Sequence, residues 1–309
     1  MKSYHHTLPV KRNYWCAALI TRSARLNRFF HLLTSALDIW RRVHYLCVQE
    51  LQKMATNRKS FLEMYDAYCS RSNERQMCIS NLDEVAAEHN FDSIKSCLAI
   101  GAGEGFYEIG FLEKCTANII RFIAVDQDRG STERLKSLLR KRTPGVEATV
   151  IESDFHSWKG PNDPVDLILT FHMLYSCYHK PGERQALLKK AHDHWLVPGG
   201  FLVAFSCGCF GTKSCGATYE IFERLGSPLT TWDEIEADIL SVGFIKRRVH
   251  EIPMTRDFSN PDEALLCFYQ AHVDQPVTLD DVRSAMEELY PGDEPYQGVN
   301  TLIVYQKAP

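Results

Sequence analysis

The run Cys97-Leu98-Ala99-Ile100-Gly101-Ala102-Gly103-Glu104-Gly105-Phe106 decides the fold. A short apolar strand, Ser96–Ile100, feeds a turn in which glycine recurs at every second position. A helix through Ile109, Phe111 and Leu112 follows. Glycine has no Cβ, so the backbone of such a turn can lie against a ligand. In an open parallel sheet a turn of this kind sits at the carboxyl end of a strand, where ligands collect. The spacing is GxGxG. The dinucleotide fingerprint GxGxxG needs a third glycine where this chain has Phe106, which weighs against a nicotinamide or flavin enzyme.

Working outward, strands and helices alternate. Arg121–Val125 reads as a second buried strand, Ser131–Lys141 as a charged amphipathic helix, Ala148–Ile151 as strand three and Val165–Thr170 as strand four. Glu183–Trp195 reads as a helix, and Leu196-Val197-Pro198-Gly199-Gly200 as a turn into strand five, Phe201–Ser206. Phe244–Ile252 and Thr301–Gln306 are two further strands, separated by helices at Pro261–Ala271 and Leu279–Tyr290. Before the glycine turn, Ser60–Cys69 and Arg75–His89 carry helical periodicity. This order predicts an α/β fold: a Rossmann-like, seven-stranded, mostly parallel sheet with helices on both faces and extra N-terminal helices. The helical stretches Ala217–Leu225 and Pro261–Ala271 would form a lid over a substrate.

Acidic residues fall where an adenosine ligand would need them. Asp126 ends the second strand, followed by Gln127, and a carboxylate there can accept hydrogen bonds from both ribose hydroxyls. Asp154 follows the third strand and could accept from an adenine amino group while Phe155 packs on the ring. Asp154 reads equally well as a helix cap or a solvated loop acid.

Composition narrows the class. A net charge of −4 over 309 residues gives no electrostatic case for nucleic-acid binding. No apolar run is long enough to cross a membrane. The eleven cysteines are scattered, with no CxxC pair, which favours reduced thiols in a cytoplasmic enzyme. The cluster Cys207, Cys209 and Cys215 matches no common zinc spacing, so no metal is expected. Residues 1–53 are basic: Lys2, Lys11, Arg12, Arg22, Arg25, Arg28, Arg41, Arg42 and Lys53 face Asp38 and Glu50. They read as an extension of unassigned role before a domain spanning 54–309, with a mitochondrial presequence as the alternative. A monomer is expected.

The stretch from Cys97 to Ser206, with LAIGAGEG, AVD, ESDF, VDLILTFHMLY and LVPGGFLVAFS in order, resembles the class I S-adenosylmethionine-dependent methyltransferases. The resemblance implies that S-adenosylmethionine is the cofactor. Gly101, Gly103, Gly105, Asp126, Gln127, Asp154 and Phe155 would then hold it, with Phe171 and His172 beside its methionine moiety and methyl group. A narrower resemblance, to histamine N-methyltransferase, rests on Ser72-Asn73-Glu74-Arg75-Gln76, His172-Met173-Leu174-Tyr175 and Asn300-Thr301-Leu302-Ile303-Val304. It implies that Glu74 and Asn300 meet the amine substrate, with Tyr175 and His172 beside it. His172 stands where that family has glutamine, and Ser176 and Cys177 also differ, so the acceptor is a small amine or imidazole rather than histamine by default.

Methyl transfer is a direct displacement and needs no enzyme nucleophile, so positioning supplies much of the acceleration. His172 could accept a proton or simply hydrogen-bond. The plainer alternatives stand beside these roles: Glu74 as a solvated acid at a helix start, Asn300 as a strand-edge residue, His172 as a structural histidine. A small-molecule O-methyltransferase and a non-catalytic S-adenosylmethionine-binding protein remain the competing functions.

Overall fold

The computed structural model describes residues 60–309, apart from 156, 176–181, 209–215, 228 and 274. The basic segment 1–53, the boundary at residue 54, Ser176, Cys177, Cys209 and Cys215 therefore lie outside the described residues.

In chain order the elements are α1 (Phe61–Ser70), α2 (Glu74–Glu88), β1 (Ser96–Ile100), α3 (Phe106–Cys115), β2 (Arg121–Asp126), α4 (Arg129–Arg142), β3 (Glu147–Glu152) and β4 (Val165–Phe171). There follow α5 (Glu183–Lys190), β5 (Leu196–Cys207), α6 (Ala217–Arg224), α7 (Trp232–Ser241), β6 (Ile245–Arg256), α8 (Glu263–Ala271), α9 (Leu279–Leu289) and β7 (Tyr296–Gln306). Serine, threonine and acidic residues start many of the helices by accepting the otherwise unpaired first-turn N–H groups. Ser60 with Glu63, Thr231 with Glu234 and Thr278 with Asp281 form reciprocal capping boxes at α1, α7 and α9.

One sheet runs in the order β3-β2-β1-β4-β5-β7-β6. β1 to β5 are parallel, and β7 pairs antiparallel with both β5 and β6. β1 is wholly buried and β4 almost so, because helices cover both faces of the central strands. One face carries α2, α3 and α4, with Leu82, Val85, Ile109, Phe111 and Leu135 packed on Cys97, Leu167, Phe205 and Leu302. The other carries α5 and α7, with Leu187, Trp232, Ile235 and Ile239 against Leu98, Ile168, Leu202 and Tyr305. A third apolar cluster joins α1, α6, α8 and α9 through Tyr68, Ile221, Phe222, Leu266, Tyr269 and Met286. The two helices expected to cover a substrate are α6 and α8 of this cluster.

The sequence expectations need four corrections. Leu196–Gly200 is part of β5 rather than a turn: Leu196 already pairs with Val165, and a register shift between Val165 and Leu167 absorbs the extra residues. The helix at Glu183 ends in a π-helical turn, Ala191–Trp195. Both C-terminal strands are longer than their apolar runs, β6 reaching Arg256 and β7 starting at Tyr296, because each pairs along the other's whole length. Finally α7, which the sequence reading leaves unassigned, is a capped helix whose Trp232, Ile235 and Ile239 are buried. Trp195 and Phe205 are core residues, while Phe201 packs partly buried against the core.

Glu108 on α3 is 3% exposed. Burial pushes its carboxyl up to about 8, against the pull of its own backbone N–H and of His172. The folded protein therefore holds a proton there that the unfolded chain releases near its ordinary value, about 4.3. Stability contributed at this position falls as pH rises from about 4.3 to about 8. Glu108→Gln is expected to flatten that decline and to be more stable than the parent above pH 8, by on the order of a few kcal/mol. Urea melts across this range check it; parallel stability curves for the two proteins would show that Glu108 is not held neutral.

Candidate active site

The glycine turn leaves β1 at the point where the sheet order reverses, with β2 on one side and β4 on the other. Gly101, Gly103 and Gly105 all have positive φ (66°, 50° and 76°), which glycine adopts without strain. A Cβ on Gly101 would lie 2.9 Å from Met173 Cβ, and one on Gly105 would collide with Leu135 Cδ1. One on Gly103 would meet nothing within 4 Å. Two glycines thus permit close packing, and the third faces open space beside bare backbone.

Asp126 Oδ2 accepts from Gly103 N (2.8 Å) and Oδ1 from Asp128 N (2.8 Å). Burial pushes this carboxyl up, while the same N–H groups pull the other way. Gln127 is exposed next to it, and Asp154 is exposed beyond β3. Phe155 is buried in the cluster that holds Ile100, Val125 and Met173. These residues gather around the ends of β1, β2 and β3. Phe171 differs from expectation in part: it ends β4, but its ring packs among Phe111 and Phe205, each at 6.0 Å.

On the other side of β4 the structure brings Glu74, His172 and Tyr175 together. Glu74, 4% exposed at the start of α2, accepts from Tyr107 Oη at Oε1 (2.5 Å) and from Arg256 Nη2 at Oε2 (3.0 Å). His172 Nε2 lies 3.0 Å from Glu74 Oε1. Arg256, 1% exposed, also donates to Thr218 Oγ1 (2.8 Å), and its guanidinium carbon lies 3.9 Å from the Tyr68 ring centroid. Burial penalises the Glu74 carboxylate, yet His172, Arg256 and Tyr107 hold it well below the ordinary carboxylate range. Burial likewise opposes charge on His172, but Glu74 outweighs it, and with Cys207 holds the imidazole up to about 10. His172 is therefore a cation at neutral pH.

His172 has φ 51°, a conformation costly for a non-glycine residue, and its N–H donates to Phe205 O at 2.7 Å. Its Nδ1 lies 3.4 Å from Tyr175 Oη and 3.8 Å from Cys207 Sγ. Cys207 is paired across the sheet with Asn300. Strand alternation puts Cys207 and Asn300 on the same face as Phe205 and Leu302, the face covered by α2 and α3. Asn300 is wholly buried, and neither its Oδ1 nor its Nδ2 has a partner among the described residues.

Arg256 and Tyr107 were not singled out from sequence, and Cys207 was weighed there only for a zinc spacing, not beside His172. The signal for Arg256 was present: it continues the alternation of buried Ile252 and Met254 in β6, which puts a charge in a core position. A surface groove of about 440 Å³ between Lys136, Leu139, Arg140 and Val150 lies by β3, away from all these side chains.

Residues 97–200 match the family model described as a methyltransferase domain. A protein assigned as a methyltransferase from Bacillus halodurans C-125 is 13% identical, with a TM-score of 0.54 over 75% of this chain and 99% of its own. The YcgJ protein from Bacillus subtilis is 12% identical, with a TM-score of 0.52 over 76% of this chain and 99% of its own. No curated protein matches the sequence. The matched stretch is thus a methyltransferase domain, carried on a fold shared with these two proteins. Its cofactor is S-adenosylmethionine, and the residues fit that ligand: open space over Gly103 and a partly buried carboxylate at the end of β2. Among the described residues no helix is long and apolar enough to cross a membrane.

Two measurements follow from this geometry. Asp126→Ala removes the acceptor expected for the ribose and is predicted to weaken S-adenosylmethionine binding by about 1–3 kcal/mol; unchanged affinity by calorimetry would move the ribose elsewhere. Arg256→Met strands the buried Glu74 charge and should cost about 3–5 kcal/mol, with Glu74→Gln on the same chain restoring much of it. Denaturant melts of the single and double variants decide; a near-neutral Arg256→Met would mean that the pair is not desolvated.

Proposed function

We propose that the protein transfers the methyl group of S-adenosylmethionine to a nitrogen of a small molecule, an imidazole or amine in its neutral form, in the manner of the histamine N-methyltransferase resemblance. The observation that carries this reading is the buried, unpartnered amide of Asn300. An unpaired buried amide is costly, and its oxygen can accept from an acceptor N–H while leaving the nucleophilic lone pair free.

When bound, S-adenosylmethionine supplies an electrophilic methyl on a sulfonium; the chain's own residues hold and orient the acceptor. A neutral nitrogen brings its own lone pair, so no base is needed before transfer. That suits a site whose histidine is already protonated. His172 then positions Glu74 and Tyr175 rather than accepting a proton, and the methylated cation gives up its N–H proton to water after transfer. Glu74 has both oxygens engaged by Tyr107, His172 and Arg256, so it acts through His172 and not by gripping a free ammonium. Tyr175 flanks His172, and α6 and α8 exclude water from the sulfonium.

A second reading, transfer to a phenol oxygen, draws on the charge balance: His172 and Arg256 face the single carboxylate of Glu74, and the excess positive charge would favour a phenolate. The distinguishing experiment is turnover of labelled S-adenosylmethionine with imidazoles, primary amines, catechols and phenols. Label in an imidazole or amine product, with Asn300→Ala losing roughly tenfold or more in kcat/KM at unchanged cofactor affinity, is the expected result. Label in phenols alone would select the second reading. Cofactor binding without any product would point to a non-catalytic binder.

A further inference from the structure

A second cluster of titratable side chains lies at the opposite end of α2. Glu88 ends the helix, His89 follows it, and His250 sits on the facing strand β6. One ligand atom from each lies within 4.8 Å of the others. His250 is 7% exposed, and its Nε2 is buried without a hydrogen-bond partner among the described residues; His89 Nε2 is likewise buried and unpartnered among them. Two neighbouring imidazoles, their rings 5.9 Å apart, thus leave two buried polar nitrogens with nothing to bind. Glu88 Oε2 is 3.9 Å from His250 Nε2. Burial pulls both imidazoles down, toward the neutral form that carries a free lone pair.

We infer that His89 Nε2, His250 Nε2 and a carboxylate oxygen of Glu88 form a binding site for a first-row divalent cation, zinc foremost. Two imidazoles and a carboxylate are the donor set that such ions accept, with a fourth position open to water at the sheet edge. Bound zinc would draw the donor atoms to about 3.3–3.5 Å from one another, as bonds near 2.0–2.2 Å require. Side-chain torsions supply that inward movement of roughly 1 Å from the present separation. Arg248 holds Glu88 from outside, Nε to Oε2 at 2.8 Å and Nη2 to Oε1 at 3.1 Å. Ligating carboxylates commonly keep such an outer partner.

The placement gives the ion a consequence. α2 and β6 run antiparallel, with Asn73 bonded to Thr255 and Glu74 to Arg256 at one end and Glu88 to Arg248 at the other. The helix spans about 21 Å from Glu74 to Glu88, and the strand about 20 Å from His250 to Arg256. An ion at the far end would fix the helix and strand that deliver Glu74 and Arg256, without touching either.

The test is zinc affinity of the full chain, measured against a chromophoric chelator, for the parent, His89→Gln and His250→Gln. Eleven cysteines offer competing thiolates, so cobalt spectra accompany the titration. The expected result is one equivalent whose cobalt complex lacks a thiolate charge-transfer band, with each variant at least tenfold weaker. Zinc should also raise the melting temperature of the parent but not of the variants. His89 is half-buried, so His89→Gln keeps the test valid should His250→Gln fold poorly; circular dichroism checks both. Equal zinc affinity in all three proteins, or a thiolate spectrum that survives both substitutions, would overturn the site.

Discussion

A carboxylate taken out of water must be compensated where it stands, and Glu74 is such a carboxylate. The cost of burying an unpaired charge is several kcal/mol even after relaxation, comparable with the net stability of a domain. Its partners come from Tyr107 on α3, His172 at the end of β4 and Arg256 at the end of β6. Arg256 in turn needs Thr218 on α6 and the ring of Tyr68 on α1. One charge therefore ties the edge of the sheet, its centre and the helical cluster together. None of these elements can shift alone without stranding a buried charge.

The same constraint sets the chemistry around Glu74. Because Glu74 stays ionised, His172 stays protonated, and its strained backbone is held by the hydrogen bond to Phe205. A fixed imidazolium donates and does not accept. The cofactor side is built differently. There the working groups are backbone of a glycine turn and one carboxylate already organised by two backbone N–H groups. The first half depends on paired side-chain charges, the second on main-chain geometry.

That difference explains what the sequence made legible. The glycine turn, β1, α3, β2 and Asp126 follow one another within a short stretch, so period and spacing reveal them directly. The seven strands and the mostly parallel sheet were readable from the alternation of apolar runs with helical periods. Strand ends were not: β6 runs past Ile252 to Arg256 because β7 pairs with it, and no local pattern announces a partner's length. The turn expected at Leu196–Gly200 became strand because β4 offered it a register. Glu74, His172 and Asn300 were marked by motif resemblance, yet the cation that holds Glu74 lies 182 residues further along the chain. Residues paired across such distances carry no spacing signal. What can be read is a charge out of phase with its surroundings, as Arg256 is.

The two halves also have different freedom to change. Main-chain geometry tolerates wide substitution around it, which is how a fold can be shared at 12–13% identity. Buried charges do not tolerate piecemeal replacement, since altering Glu74, Arg256 or His172 alone leaves an uncompensated group. A change of acceptor therefore requires the set to change together. Fold likeness accordingly says little about this set, which rests on long-range pairs rather than on the shared main-chain geometry. Among the described residues it joins two cationic side chains, His172 and Arg256, to the one carboxylate of Glu74, so its parts can change only together.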